Sequence, residues 1–567
     1  MSLNHTFDLV VVGSGAAGMS AALWAHDLGL RVLVLEAGER YGGSTAISGG
    51  VVWIPNNPQL PGRGVQDSRD DALTYLLEIT RGRVQRERIE AYVDKSLDVY
   101  EWLQRDTHLK LDALEHYCDY YPEAPGGKPG GRSMEPVPFD ATLLGSEFQH
   151  LQKPHPQSQI LGKFGITARE AKDYLVPGIK GRLKLLWRFV QYAARWWKRR
   201  GQPRDVKLFA GNALIGRLRL SLMDRDVPLW RSCPVQEVLW DQGRAVGVVA
   251  ERDGERVGIS ATHGVVLAAG GFERNQAMRE QYQTGPVSID WNAGNERNLG
   301  DAIRWGQEAG AAVDLMDQAW WTPVTRVPKS PKAWVLVVEK SLPGSLFVNR
   351  QGQRFTNEAG PYLDVGRAMY AGDAVPVCWM VFDAVFRQNY PVGPTAPGYA
   401  MPDKRLPRRL REGFFVKAPT VAALAEKCEL DPQALQATLT RYNTLCAAGE
   451  DTDHGRGRSL SDQYYGDDRW TANPCLRPVD QAPYYAIRIY PGDLGTKGGL
   501  VTDAQARVLR ADGTAIPGLY AAGNTSASVM GETYPGAGGT IGPALVFGYC
   551  AAEAARADRS DRVVKTA

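Results

Sequence analysis

The amino-acid sequence predicts an α/β fold, a parallel-sheet nucleotide domain interrupted by an inserted α+β domain. Three observations predict it. An apolar run closing at Val12 ends in glycines and leads straight into a helical pattern. Two later apolar runs, HGVVLAAGG (263–271) and GLYAAGN (518–524), reach glycines in the same way. The stretch between them, about 290 to 490, changes character and mixes strand and helix patterns. Parallel strands buried on both faces read as continuous apolar runs, and glycines at their ends mark sharp turns or close backbone approach to a ligand. The 567 residues are room for two to four domains at ~100–200 residues each.

In chain order, DLVVV from Asp8 is a buried strand and GSGAAG a turn. MSAALWAHDLG is a helix with apolar periodicity that ends at Gly29, and RVLVLE is the second strand. HGVVLAAGGFERN is a third strand, with glycines at 270 and 271. The insertion holds LFVNRQGQRF, read as a strand with a QG turn, and helices such as TVAALAEKCEL. GLYAAGN returns to the first domain, and a glycine-rich turn and a helix from near Thr540 follow. The last residues, RADRSDRVVKTA, read as a frayed tail.

Composition narrows the function classes. Hydrophobic residues at 44% and charged residues at 23% fit a folded chain rather than a disordered one. Lys+Arg 66 against Asp+Glu 63 leaves +3, so no global charge calls for nucleic acid. Glycine is high, 61 of 567. The seven cysteines are scattered, with no C-x-x-C pair and no zinc-like cluster with histidine, so no metal site is expected. They fit reduced thiols in the cytoplasm. No signal peptide precedes Asp8, and no run of ~18 apolar residues could span a membrane.

Gly13-Ser14-Gly15-Ala16-Ala17-Gly18 is G-x-G-x-x-G placed after a strand and before a helix. Gly13 permits the tight turn, Gly15 lets backbone approach a pyrophosphate, and Gly18 lets helix and strand pack closely. The helix N-terminus then presents free N–H groups and a positive dipole end. Glu36 ends the second strand, 18 residues after Gly18, where a carboxylate can accept from ribose hydroxyls. This is a Rossmann-like site, and the next residues choose between NAD and FAD. Glu36 is followed by Ala37 and then by a second glycine turn, Gly42-Gly43-Ser44-Thr45. NAD does not need it, whereas FAD does, because its pyrophosphate and ribityl chain run on past the first helix. Gly49, Gly50, Ala269, Gly270, Gly523, Asn524, Gly539 and Ile541 complete the set of expected FAD contacts. The helix near Thr540 would aim its N-terminus at the pyrimidine end of the flavin ring.

VVVGSGAAGMSAA, GGSTAISGGVVWIPNN, DYYPEAPGGKPGGRSMEP, GDLGTKGG and TYPGAGGTIGPALVFGY together resemble the bacterial FAD-dependent 3-ketosteroid Δ1-dehydrogenases. The resemblance runs from Asp8 to about residue 555, and its nucleotide motifs alone are shared with fumarate reductase-like flavoproteins. It implies a FAD-binding domain carrying a smaller catalytic (cap) domain as an insertion, with steroid bound between them. The expected division is 1–290 for the first part of the FAD domain, with a basic aromatic insertion near 150–215, then 291–489 for the catalytic domain and 490–567 for the rest of the FAD domain. The implied reaction removes a carbon 2 proton to a tyrosine and passes a carbon 1 hydride to flavin N5. Carried over by motif, TYPGAGG supplies Tyr534 and Gly538 as the clamp on the carbon 3 carbonyl. NEAGPYLD supplies Tyr362 as the base. DYYPEAPGG supplies a supporting tyrosine, Tyr120 or Tyr121, with Tyr120 preferred.

Physical chemistry supports that set. A proton on carbon beside a ketone becomes acidic only if the enolate oxygen is stabilised, and one well-placed donor is worth roughly 3–4 kcal/mol. A phenol with a reference pKa of ~10 is a poor base at neutral pH and needs a hydrogen-bond donor or positive potential. No histidine lies between His263 and His454, so the insertion offers no imidazole over that stretch.

Residues 181–201, GRLKLLWRFVQYAARWWKRRG, form an amphipathic pattern. Lys184, Arg188, Gln191, Arg195, Lys198 and Arg199 are expected on one face, and Leu186, Phe189, Val190, Ala193 and Trp197 on the other. Two readings stand side by side: a helix lying on a membrane surface with its basic side toward headgroups, or one that buries its apolar side in the protein. The leading function is oxidation of a 3-ketosteroid in bacterial sterol degradation, with a quinone-like external electron acceptor and a cytoplasmic location, free or on the inner membrane face. The alternatives are a 3-ketosteroid Δ4-dehydrogenase, another fumarate reductase-like enone oxidoreductase, and a non-catalytic flavin or steroid carrier.

Overall fold

The computed structural model describes residues 3–175, 178–202, 204–371 and 378–565. Its first sheet is built on parallel strands. Val32–Leu35, Leu3–Val12, Glu255–Leu267 and Ala515–Ala521 lie side by side in that order, all parallel. The apolar runs are buried on both faces. Leu9 and Val11 pack into one hydrophobic cluster and Val10 and Val12 into the other, as the two-residue period of a strand requires. The first strand starts at Leu3, five residues before the expected Asp8.

Glu255–Leu267 is a 13-residue strand with two partners on one side. Its first half pairs antiparallel with Arg244–Arg252, and its second half pairs parallel with Ala515–Ala521. This strand therefore joins the parallel core to an antiparallel extension completed by Val235–Asp241. On one face lie the first helix, Ala16–Asp27, and the closing helix, Ile541–Lys565, which pack against each other. Small residues allow the close approach, since a Cβ on Gly548 would lie 2.3 Å from the Ala17 carbonyl oxygen. The closing helix continues to Lys565, so Arg556 onward is helical rather than a frayed tail, and 566–567 lie outside the described residues.

A second, antiparallel sheet is drawn from the middle of the chain. Its order is Trp334–Val335, Ala319–Thr325, Tyr484–Thr496, Cys378–Phe382 and Ser345–Val348, with Val416–Ala418 also on Tyr484–Thr496. The expected strand LFVNRQGQRF is strand only through Val348. Asn349 then closes a turn, donating its N–H to the Gln353 carbonyl at 2.9 Å. The architecture is thus mixed α/β with a parallel sheet.

Candidate active site

The glycine turn folds as its sequence requires. Gly13 has φ +109, and a Cβ there would strike the Ala268 carbonyl oxygen at 2.2 Å. A Cβ on Gly18 would lie 1.9 Å from the Gly13 carbonyl oxygen, so this glycine serves helix–strand packing. Gly15 is open, with the Thr45 hydroxyl its nearest neighbour at 3.6 Å. The Ala16 N–H donates to that hydroxyl at 3.2 Å, which ties the second glycine turn to the first helix. Ser14 cross-links the same turns: its hydroxyl donates to Glu36 and accepts the Gly42 N–H at 2.9 Å. The other Glu36 oxygen accepts the Gly38 N–H at 2.8 Å, and burial raises the Glu36 pKa above the ordinary carboxyl range.

These turns line a cavity of about 730 Å³. Of the expected FAD contacts, Gly13, Gly15, Ala16, Ala17, Glu36, Ala37, Gly43, Ser44, Thr45, Gly49, Gly50, Ala269, Gly270, Gly523, Asn524 and Ile541 all line it. Gly18 and Gly539 do not. Gly18 is the packing glycine described above, and a Cβ on Gly539 would press on the Tyr534 ring at 3.1 Å. The residues fit a dinucleotide: open glycine backbone, a helix N-terminus and a strand-end carboxylate border one continuous space. Asn295 and Asn298, which sequence reasoning missed, donate to the Ser44 hydroxyl at 3.0 and 3.1 Å and hold that turn.

The same cavity brings three distant tyrosines together. The Tyr120 ring centroid lies 5.4 Å from Tyr362 and 5.2 Å from Tyr534, and Tyr362 lies 5.4 Å from Tyr534. All three contacts are edge-on, the arrangement that aromatic quadrupoles favour. Each tyrosine has its own anchor. Tyr362 opens a short helix, Tyr362–Ala368. Tyr120 sits on a loop held by buried charge: Asp119 accepts from the Trp53 indole at 2.8 Å and from Arg132 at 2.9 Å, and Arg132 also grips Asp67. The Tyr120 N–H donates to the Pro535 carbonyl at 2.9 Å, which locks this loop to the one bearing Tyr534. Tyr121 turns elsewhere, donating its hydroxyl to Asp364 at 2.9 Å.

Burial pushes all three phenols up, Tyr120 and Tyr362 well above the ordinary tyrosine value. Tyr534 pushes Tyr362 up further, while the nearby Tyr120 phenol pulls it the other way, and Tyr117 acts on Tyr120 in the lowering direction. At Tyr534, the nearby donors of Tyr362, Thr540 and Gly538 act against the burial effect. Gly538 has φ +97, and a Cβ there would meet the Trp53 backbone nitrogen at 2.5 Å, so the position demands glycine.

Several neighbours were not legible in the sequence. Trp320 packs on Tyr534 with ring centroids 4.7 Å apart. The Lys497 ammonium lies over Trp320, 4.0 Å from its centroid, and donates to the carbonyls of Gly531 at 2.8 Å and Thr533, just before Tyr534. Tyr465 donates to the Tyr117 hydroxyl at 3.2 Å. His155 also lines the cavity. The site therefore does hold an imidazole, supplied by the segment before the insertion. Burial lowers its pKa to about 4, and its ring is engaged with the Ala333 carbonyl at 3.1 Å and the Gln157 N–H at 3.1 Å. It is a neutral structural group.

The basic aromatic segment differs from its expected orientation. Ile179–Ala194 is a helix, interrupted at Arg195 and followed by the short turn Trp196–Arg199. Three of its bases reach acids outside the segment: Arg188 pairs with Glu170, Arg195 with Asp205 at 3.0 Å, and Lys198, still exposed, with Asp140 at 2.9 Å. Its apolar residues face outward, with Leu183, Leu186, Trp187, Trp196 and Trp197 each about 60% exposed. Three bases of the expected basic face are thus in ion pairs, and Arg199 lies over the Tyr192 ring, 3.5 Å from its centroid. The preceding residues Ile160, Leu161, Ala168 and Ala171 line the cavity, so the exposed patch adjoins its wall. No described helix is long and apolar enough to cross a membrane.

Residues 8–541 match the family described as FAD binding domain. The chain is 43% identical over 562 residues to a 3-oxosteroid 1-dehydrogenase of Mycobacterium tuberculosis, covering 96% of this chain and 97% of that protein. It superposes with a TM-score of 0.94, at 43% identity, on a 3-ketosteroid delta1-dehydrogenase from Sterolibacterium denitrificans solved in complex with 1,4-androstadiene-3,17-dione, covering 98% of this chain and 100% of that one. A flavocytochrome c3 fumarate reductase shares the fold at a TM-score of 0.62 and 21% identity, over 98% of this chain and 79% of that one.

Proposed function

The chain belongs to the 3-oxosteroid 1-dehydrogenases within the FAD binding domain family, and from that premise we infer that Tyr362, supported by Tyr120 and Tyr534, takes the carbon 2 proton from the A ring of a 3-ketosteroid while FAD would accept the carbon 1 hydride. It is an FAD-dependent oxidoreductase. The single observation that carries the residue assignment is the meeting of Tyr120, Tyr362 and Tyr534 on the cavity that the glycine turns also line.

Gly13, Gly15 and the N-terminus at Ala16 would hold the pyrophosphate, Glu36 a ribose, and the Ser44–Thr45 and Gly523–Asn524 turns the remainder of the FAD. When bound, FAD supplies a hydride acceptor. Tyr534 and the Gly538 N–H hold the carbon 3 oxygen and stabilise the charge that grows there. Tyr362 takes the carbon 2 proton at its phenolic oxygen. Tyr120 donates to Tyr362 and favours its ionised form, with Tyr117 and Tyr465 behind it. Apolar walls at Trp320, Val337 and Leu494 keep water from the A ring. We read residues 291–489 as the catalytic domain and 1–290 with 490–567 as the FAD domain. What supports this division is the separation into two sheets, although Tyr484–Thr496 runs across the second boundary.

The test is anaerobic titration of the yellow holoenzyme. A 3-ketosteroid should bleach the flavin band near about 450 nm stoichiometrically. No bleaching would indicate a carrier, and bleaching by a dicarboxylate instead would indicate a fumarate reductase-like activity.

We also read the outward apolar patch as a membrane contact on the inner face, suited to an apolar sterol-derived substrate and a quinone-like acceptor. What supports this is an exposed cluster of Trp and Leu beside the cavity wall. Because Arg188, Arg195 and Lys198 are engaged in ion pairs, the informative change is in the apolar residues. Trp187, Trp196 and Trp197 changed together to Ser should abolish sedimentation with phosphatidylglycerol vesicles while leaving activity on a small soluble steroid intact. A wild-type protein that stays in the supernatant at low salt would refute the membrane contact.

A further inference from the structure

One side chain on the cavity wall is out of character with its surroundings. Glu339 is 5% exposed and lines the cavity among Trp334, Val335, Val337 and Val338. Its Oε1 accepts the Trp334 indole N–H at 3.3 Å and the Gly393 N–H at 3.3 Å. The backbone N–H groups of Glu339 and Val338 also act on the carboxyl, but among the described residues no charged side chain pairs with it. The next residue, Lys340, does not neutralise it, since that ammonium donates to the carbonyls of Glu358 at 3.2 Å and Ala359 at 2.8 Å. The A-ring chemistry assigned above has no use for this carboxyl. A carboxyl without a charged partner in an apolar wall is costly unless something else hydrogen-bonds to it.

Its position suggests what that partner is. Val337 packs against the cluster that contains Tyr120, Tyr362 and Tyr534. Two residues further on, Glu339 reaches Gly393 on the loop 391–396, which forms another part of the cavity wall. A steroid is a rigid four-ring plate. With its carbon 3 oxygen held at Tyr534, its opposite end must lie along the wall away from the tyrosines.

We propose that Glu339 is a specificity-determining residue that hydrogen-bonds an oxygen at carbon 17, giving a preference for 3-ketosteroids with a ketone or hydroxyl there over those with hydrogen. This rests on the steroid reading above. Burial pushes the Glu339 carboxyl up to about 7, so its protonated form is available to donate to a ketone and its ionised form to accept from a hydroxyl.

The experiment measures kcat/KM of the holoenzyme for 4-androstene-3,17-dione and for the same steroid with hydrogen at carbon 17. The wild type should favour the dione by roughly 10-fold beyond any difference shown by Glu339→Leu, whose ratio should fall toward one. Glu339→Gln keeps an acceptor for Trp334 and Gly393 and offers an N–H to the ketone, so it should retain most of the preference. If leucine is not tolerated, Glu339→Met takes its place. An unchanged ratio in the apolar variant, or an equal loss on both steroids, would overturn the proposal and make Glu339 a prop for the loop. Failure of both steroids to reduce the flavin would instead defeat the steroid reading itself.

Discussion

Tyr362→Phe is expected to slow flavin reduction by about 10³-fold, within the usual range for removing a general base, while the protein stays yellow. The change deletes one oxygen from a ring that is 7% exposed and held edge-on by Tyr120 and Tyr534. Phenylalanine fills the same space, so the packing of the cluster survives. FAD should remain bound, because the glycine turns assigned to it come from other segments of the chain. A second signature follows from the burial of the phenol. With its pKa well above the ordinary value, only a small fraction of Tyr362 is ionised near neutrality. That fraction grows as pH rises, so wild-type flavin reduction should accelerate from about pH 7 to 9, and the variant should lose this dependence. Stopped-flow absorbance of the flavin under anaerobic conditions measures both. Near-normal reduction in the variant would move the base to Tyr120.

The parts of this site that could be read in the sequence are those whose physics is local. Gly13 through Gly18 announce a turn because strand, glycines and helix adjoin, and Gly13 does adopt φ +109. The meeting of the tyrosines is different. Tyr120, Tyr362 and Tyr534 come from a loop, a helix start and a turn hundreds of residues apart, and no periodicity relates them. Only motif resemblance marked them, and it left Tyr120 against Tyr121 open. In the structure the Tyr120 ring packs against Tyr362 and Tyr534, whereas the Tyr121 hydroxyl donates to the Asp364 carboxylate.

Trp320, Lys497, His155 and Glu339 were missed for the same reason. Each is an ordinary residue in its own stretch, and each matters through a neighbour far away in sequence. Lys497 was visible in GDLGTKGG, but nothing there says that its ammonium would support the backbone before Tyr534. The segment 181–201 shows the limit from another side. Its amphipathicity was legible, but the choice of outward face was not. Glu170, Asp205 and Asp140, acids outside the segment, pair with Arg188, Arg195 and Lys198, and nothing within the segment announces those partners.

Tyr534→Phe is expected to cost at least about 100-fold in kcat, the usual price of one oxyanion donor, or roughly 3–4 kcal/mol. The loss should be smaller than for Tyr362, because on the proposed reading the Gly538 N–H would still address the carbon 3 oxygen, from a backbone whose carbonyl accepts the Trp53 N–H at 3.2 Å. It should fall mainly on kcat rather than KM, since a phenol aimed at an enolate oxygen binds the developing charge more strongly than the ground-state ketone. The ring would stay in place, packed on Trp320 and against Tyr120 and Tyr362. Its supporting turn does not depend on the lost hydroxyl, because Lys497 holds the carbonyls of Gly531 and Thr533 independently. Steady-state kinetics with a 3-ketosteroid, alongside the flavin spectrum of the variant, separate the possibilities. A rise in KM with unchanged kcat would make Tyr534 a substrate-binding group only, and the enolate would then rest on Gly538 alone.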